Sequence, residues 1–404
     1  MTFSPVPFRK KKLIRFLGTI FLIYSLFPAL PFNQQNIAQA KPLQVPAPTV
    51  TVNAPSQMMI GEDFSFTVTF DNAGIDPGYG PFIDVVFPTQ GADGVFGDPA
   101  LPADGIAYLS GGSYAGINLT CDNQTFNSSG EVTHPYFRNT SGDYVTVTGT
   151  PGDTFVSCLL PFGSVVPEQP PVEVTFQASL SELADAGTPL PIRALGGFIF
   201  GADPLDNWCC DDALPSPYPG NSSGWTSQAD VTPTVLTLNK SYSGPEDETA
   251  TGPNFPHQFT VTVDVAEGQT VEDFILQDVL SDNLQFVSLD AVSGNGSSTI
   301  TDLSTPSTST PGGTLSREFD QIVGTAGGND ASFEFTFYIP RDDASSNRVL
   351  DPASGDDVPS RNNAQGSGTW TPIDPNDDPG TVTAGSTIRT PENSIRDKTI
   401  VIQK

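Results

Sequence analysis

The sequence predicts an all-β protein, a tandem of immunoglobulin-like β-sandwiches behind an export signal. Three observations carry this expectation. Gly and Pro number 38 each in 404 residues and Phe counts 27 against 3 Met, a mix that suits strands broken by turns better than helices. Short runs of alternating apolar and polar residues recur, each closed by Gly, Pro, Asn or Asp. Helical periodicity is nearly absent: only residues 179–186, polar and acidic after Leu180, offer a turn or two, and an ordinary loop fits them equally well.

Taken in order, residues 1–40 read as a signal peptide. A basic stretch from Arg9 to Arg15 precedes an apolar run over residues 16–32, and Ala38-Gln39-Ala40 offers the small residues a peptidase needs. The competing reading, a membrane anchor, is weakened by Pro28 and Pro31 in a run already short for a span. Cleavage after Ala40 leaves length enough for two or three domains, and no later segment is apolar enough to cross a bilayer.

Clear strands are expected over residues 64–70, 145–148, 172–176, 259–265 and 333–338. A weak internal repeat links them. Residues 64–71 (FSFTVTFD) echo 257–264 (HQFTVTVD), and 172–176 (VEVTF) echo 333–337 (FEFTF). Two sandwich units follow: an N-terminal unit over 41–232 and a repeat-like unit over 233–390, joined near Pro233 after a loop-rich stretch. Residues 399–404 (TIVIQK) copy the pattern of 235–240 (VLTLNK), so 391–404 are expected to begin a further repeat or to supply a strand to a neighbouring sheet.

Charge excludes some function classes. Five of the 17 basic residues and none of the 46 acidic ones precede Ala40, leaving a formal charge of −34 beyond it. Such a surface repels nucleic acid and anionic lipid. With two histidines, His134 and His257, most His-based metal and triad chemistry lacks support.

Strand parity singles out three polar residues in the second unit, because residues two apart share a face. Leu236 and Leu238 carry Lys240 inward; Phe274, Leu276 and Leu280 carry Asp278; Ala364 and Trp370 carry Asn362, while Asn363, Gln365, Ser367 and Thr369 face away. Buried Lys and Asp without partners would cost several kcal/mol, so they are expected to meet. Two outcomes stand. One is an uncrosslinked Lys–Asp ion pair with Asn as a hydrogen-bonding neighbour. The other is a spontaneous isopeptide bond, in which burial leaves a neutral, nucleophilic Lys240 amine and a protonated Asp278 that polarises the Asn362 carboxamide.

The order of features across this unit resembles the bacterial conserved-repeat family labelled domain of unknown function eleven, and is similar to fimbrial isopeptide-forming domains. The carrying segments are Leu238-Asn239-Lys240, Phe259-Thr260-Val261-Thr262, Asp278-Val279-Leu280 with Leu284-Gln285-Phe286-Val287-Ser288, and Asn362-Asn363-Ala364. The resemblance spans about 130 residues. It implies a surface or secreted β-sandwich repeat whose reactive Lys, Asp and Asn fall on Lys240, Asp278 and Asn362. One departure stands out: the family's Asn-x-Gly strand end is Asp264-Val265-Ala266 here. Residues 78–81 and 82–86 of the first unit resemble, more loosely, the N-terminal units that precede such repeats.

The first unit has Ala54 where the second has Lys240, so the same bond cannot form there. It holds all four cysteines, which suits an oxidising compartment. Cys121 shares parity with Ile117 and Leu119, and Cys158 with Val156 and Leu160. Both are therefore expected to face a core and to pair, although four cysteines allow three connectivities. That pairing leaves the adjacent Cys209 and Cys210 to form a vicinal bond or stay reduced.

Other chemistry finds little support. Gly220-Asn221-Ser222-Ser223-Gly224 spells a nucleophile-elbow pattern without the strand and helix that would frame it. Asp374-Pro375-Asn376-Asp377-Asp378 and Asp342-Asp343 read as solvated acidic loops, with weak Ca²⁺ binding left open, because neither has a twelve-residue ligand loop ending in Glu. Trp370 is expected in the core. No resident cofactor or metal centre is implied. The expectation is a non-enzymatic, secreted or cell-surface scaffold or adhesin segment whose partners are extracellular components. Its rivals are a secreted hydrolase with a carboxylate pair hidden among the acidic residues, and a carbohydrate- or Ca²⁺-binding module.

Overall fold

A computed structural model describes residues 46–138, 142–202, 225–244, 252–349, 359–360, 362–388 and 395–396, and among these every regular element is a β-strand. The expected signal peptide, Cys209 and Cys210, residues 220–224 and residues 399–404 lie outside the described residues. Among those described, no helix is long and apolar enough to cross a membrane.

The N-terminal half is built from two main sheets. One runs in the order Pro48–Asn53, Asp63–Asn72, Val172–Leu180, Ile106–Tyr114, Ile117–Asn118. The other runs Gln57–Met59, Ser227–Thr234, Leu190–Phe198, Pro81–Phe87, Thr154–Leu159, Thr120–Thr125. Alternation explains the faces: in Asp63–Asn72, Phe64, Phe66, Val68 and Phe70 point inward and are buried. Phe66 stacks on Phe176 with centroids 5.4 Å apart, and Phe70 meets Phe198 edge-on at 5.5 Å, so aromatic pairs knit strands within and between the two sheets. Pro81–Phe87 is buried along its whole length, as a central strand covered on both sides requires.

The last strand of that half, Ser227–Thr234, ends one residue before Leu236–Ser243 opens the next sheet. The C-terminal half pairs Leu236–Ser243, His257–Val265, Ala331–Tyr338 and Gln285–Gly294 in one sheet. Its second sheet runs Ile300–Asp302, Gly313–Val323, Thr270–Leu280, Asn362–Trp370, Gly380–Ile388. Inward-facing Phe259, Phe333, Phe335, Phe337, Phe274 and Phe319 fill the space between them. Residues 45–404 cluster as one unit, and Met59, Val235 and Leu236 belong to a single apolar core that continues through the junction.

Residues 179–186 take the loop alternative: the strand runs to Leu180, and turns follow. One local expectation needs correction. Ile117 is 61% exposed, and Leu119 and Cys121 are only half-buried. The reason is a tight reversal at Ala115 and Gly116, both at positive φ (48° and 78°), which places Ile117 at a sheet edge where neither face is covered. The strand holding Asn362 lies inside its sheet, since Gly380–Ile388 pairs along its outer side.

Candidate functional site

Lys240, Asp278 and Asn362 all turn inward in the C-terminal half. The strand Leu236–Ser243 buries Leu236 and Lys240 on its inner side; Thr270–Leu280 buries Phe274, Leu276, Asp278 and Leu280; Asn362–Trp370 buries Asn362, Ala364 and Trp370. The last two strands are antiparallel neighbours in which Asp278 pairs with Ala364 and Leu280 with Asn362. Asp278 and Asn362 are thus diagonal neighbours on one face, and Lys240 reaches them from the opposite sheet.

Lys240 Nζ is in contact with Asp278 Oδ2, and both side chains are fully buried. The ammonium lies 4.3 Å from the centroid of the Phe259 ring and 5.7 Å from that of Phe335. These rings favour a cation but cannot replace its hydration shell. Burial pushes Lys240 down to about 8 against the opposing pull of Asp278. Burial also pushes the Asp278 carboxyl up, against the stabilising effects of Lys240 and Asn362. Both groups are driven toward their neutral forms.

Asn362 is the unsatisfied member. Its Oδ1 and Nδ2 are buried without a hydrogen bond of normal geometry, and so is Asp278 Oδ1. A buried polar group in that state costs about 1–3 kcal/mol, which a merely structural Asn would avoid. The three residues therefore present a desolvated amine, a carboxyl held toward protonation and a carboxamide that acts on that carboxyl without a hydrogen bond of normal geometry, in one aromatic-walled space.

A second buried pair escaped sequence reasoning. His134 Nε2 lies 3.0 Å from Asp84 Oδ2, with both side chains at 0% exposure. His134 Nδ1 accepts from the backbone N–H groups of Tyr136 and Phe137, at 3.0 and 2.8 Å, so the proton sits on Nε2 and points at the carboxylate. Nδ1 is thus engaged as an acceptor and Nε2 as a donor. The pair's signal was present: Asp84 is the lone acid in an apolar run, and His134 shares parity with Val132.

Cys121 and Cys158 are bonded, with Cα atoms 4.0 Å apart. They are direct partners in register on adjacent antiparallel strands, so the bond staples two strands of one sheet and does not cross between sheets. Asp342 pairs with Arg348 and Asp343 caps its own turn, as expected of a solvated loop. Asp374 departs from that expectation and is buried, at 2% exposure. Trp370 is buried and donates from Nε1 to Gln269 Oε1 at 2.9 Å. A groove of about 540 Å³ on the outer face of the second sheet is lined by Ile275, Gln277, Gln365, Ser367 and Thr383, offering amides and hydroxyls.

No family model matches the chain, and no curated protein matches its sequence. Among solved structures it is similar to the major pilin SpaD of Corynebacterium diphtheriae, at 11% identity over 78% of this chain and 61% of that one, with a TM-score of 0.25. It is also similar to a C-terminal fragment of the major pilin GBS80 of Streptococcus agalactiae (11%, 83% and 91%, 0.25). A third similar structure is AvmM, which catalyses macrocyclization in alchivemycin A biosynthesis (16%, 46% and 87%, 0.26). Likeness at this level bears on neither activity nor partners.

Proposed function

We propose that the chain is a secreted or cell-surface structural element, a scaffold or adhesin segment, whose C-terminal sandwich locks itself with an isopeptide bond between Lys240 and Asn362. The observation that carries this reading is the buried Lys240–Asp278 contact beside an Asn362 carboxamide whose polar atoms are both unsatisfied.

The chemistry runs once per molecule. Proton transfer from the ammonium to the carboxylate gives neutral Lys240 and protonated Asp278, both favoured by burial. Asp278 donates to Asn362 Oδ1, and Lys240 Nζ attacks Cγ. The new N–Cγ bond forms, the Cγ–Nδ2 bond breaks, and the surplus amine proton passes by way of Asp278 to the departing nitrogen, which leaves as ammonia. Asp278 is regenerated and is absent from the product. The bond would tie the two sheets together across the core. The acidic surface, the paired cysteines and the sequence pattern of residues 1–40 support an extracellular setting for such a clamp.

Intact-mass measurement of the purified full-length chain tests it. A mass lower by one ammonia, with a branched peptide joining the Lys240 and Asn362 segments, is expected. An unmodified mass for folded protein leaves Lys240 and Asp278 as a buried ion pair and ends the crosslink reading.

A further inference from the structure

The acidic loops hold a second arrangement, far from Lys240 in sequence and chemistry. Asp93 and Asp104 lie in the 88–105 connection, Asp185 in the turns after Leu180, and Asp374 and Asp377 in the 371–379 connection of the C-terminal half. Carboxylate oxygens of Asp93, Asp104 and Asp185 come within 4.8 Å of one another.

The loop around Asp104 is shaped to the carboxylate. Asp104 is 1% exposed, and its two oxygens accept from the N–H groups of Ala92 and Gly94, both at 3.2 Å. A Cβ on Gly91, whose φ is +76°, would run into Asp104 Oδ1. One on Gly94 would collide with Gln90 O and lie 2.7 Å from Pro102 O. The backbone can wrap this closely only because those positions lack side chains.

Asp374 supplies an independent sign. Its Oδ1 accepts from Asn376 N and Nδ2 at 2.8 and 2.9 Å, while Oδ2 is buried with no hydrogen-bond partner. Asn376 Nδ2 in turn donates to Ala100 O, at 3.1 Å, so the 371–379 loop is pinned to the 88–105 loop and Asp374 is held near Asp93. A buried, unpartnered carboxylate oxygen within electrostatic reach of Asp93, one of three converging carboxylates, is costly unless a cation completes the group. Among the described residues, none of these five carboxylates has a Lys, Arg or His within ion-pair distance.

We propose that Asp93, Asp104, Asp185 and Asp374 bind a divalent cation, Ca²⁺ in preference to Mg²⁺, and that the ion clasps the 371–379 loop of the C-terminal half to the loops of the N-terminal half. Hard carboxylate oxygens suit either ion. Ca²⁺ bonds of about 2.3–2.6 Å tolerate ligands spread up to about 5 Å apart, whereas Mg²⁺ demands about 2.0–2.1 Å and a regular octahedron. The ligands come from three separate loops, so no contiguous sequence motif marks the site.

The test uses the full-length chain, stripped with a chelator and then titrated with CaCl₂ or MgCl₂ by calorimetry, with thermal unfolding and hydrogen exchange followed in parallel. One Ca²⁺ per chain, a raised Tm, and slowed exchange in both 88–105 and 371–379 are expected. Half-exposed Asp93→Asn, which disturbs no buried contact, should weaken binding about tenfold or more, and Asp374→Asn should do the same while abolishing the protection of 371–379. Absence of Ca²⁺ heat and of any Tm difference between chelator and millimolar Ca²⁺ would overturn the proposal. So would equal binding of Mg²⁺, or unaltered Ca²⁺ affinity in both variants.

Discussion

Lys240 and Asp278 meet across the core of the C-terminal half, Nζ against Oδ2, from strands that belong to opposite sheets. A pair so placed either costs stability or does chemistry, because removing both charges from water is repaid only when every remaining polar atom finds a partner. Here Asp278 Oδ1 and both polar atoms of Asn362 lack a hydrogen bond of normal geometry.

The first prediction separates the two cases. Asp278→Asn keeps the shape of the side chain but cannot relay a proton, so the full-length protein should retain the mass of ammonia and yield no branched peptide. Asn362→Ala should do likewise by removing the electrophile. The bond would close a loop of more than a hundred residues, for which the chain-entropy model gives roughly 4–5 kcal/mol. Denaturant unfolding of Asn362→Ala should show a loss of that order, and a variant as stable as the parent would argue that no bond had formed.

The disulfide gives a second test, on the other half of the chain. It encloses a separation of 37 residues and holds the edge strand Thr120–Thr125 in register against Thr154–Leu159. Cys158→Ala should lower stability by about 2–5 kcal/mol, and reduction of the parent should do the same without altering the mass signature of the C-terminal half. Thiols that alkylate fully without a reductant would contradict the bond.

Much of this was legible because alternation is a local property. The faces of Asp63–Asn72, Leu236–Ser243 and Asn362–Trp370 follow from parity alone, and with them the burial of Lys240, Asp278 and Asn362. Parity misled at Ile117, where a turn at positive φ ends the regular strand and a sheet edge leaves both faces open. It places His134 inward with Val132 but does not reveal its partner Asp84, which lies 50 residues away and meets it only through the packing of separate sheets. The Asp374 loop was misread as solvated because burial there depends on loops nearly 300 residues upstream, which no nearby residue reveals.

Glycine marks a third testable feature. Gly197 stands opposite Phe82 in register, and a Cβ added there would strike the Phe82 ring. That ring cannot yield easily, because it packs edge-on against His134 at 5.0 Å and against Phe137 at 5.8 Å. Gly197→Ala should cost about 1–3 kcal/mol in urea unfolding. Gly163→Ala, where an added Cβ meets nothing within 4 Å, should stay within about 0.5 kcal/mol and serves as the control.

The last prediction concerns acid. His257 is 1% exposed, stacks on Phe337 with centroids 5.3 Å apart, and shares a 2.6 Å hydrogen bond through Nδ1 with the Tyr242 hydroxyl. Its Nε2 is buried without a partner, so a charged ring would have nothing to compensate its lost hydration. Burial accordingly pushes His257 down from 6.5 to about 4. The sign follows from proton counts. Between pH 6.5 and about 4 the unfolded chain binds a proton at this position and the folded chain does not. Stability is therefore fully present above pH 6.5 and declines as pH falls toward 4, by up to about 3 kcal/mol, with no further loss from this residue below that. Replacing the ring by a permanently uncharged one, His257→Phe, should flatten that part of the profile, even though it removes the hydrogen bond to the Tyr242 hydroxyl and lowers stability at neutral pH. Urea unfolding at intervals from pH 4 to 7 measures both. A parent profile as flat as that of the variant would mean that His257 takes up its proton inside the folded core.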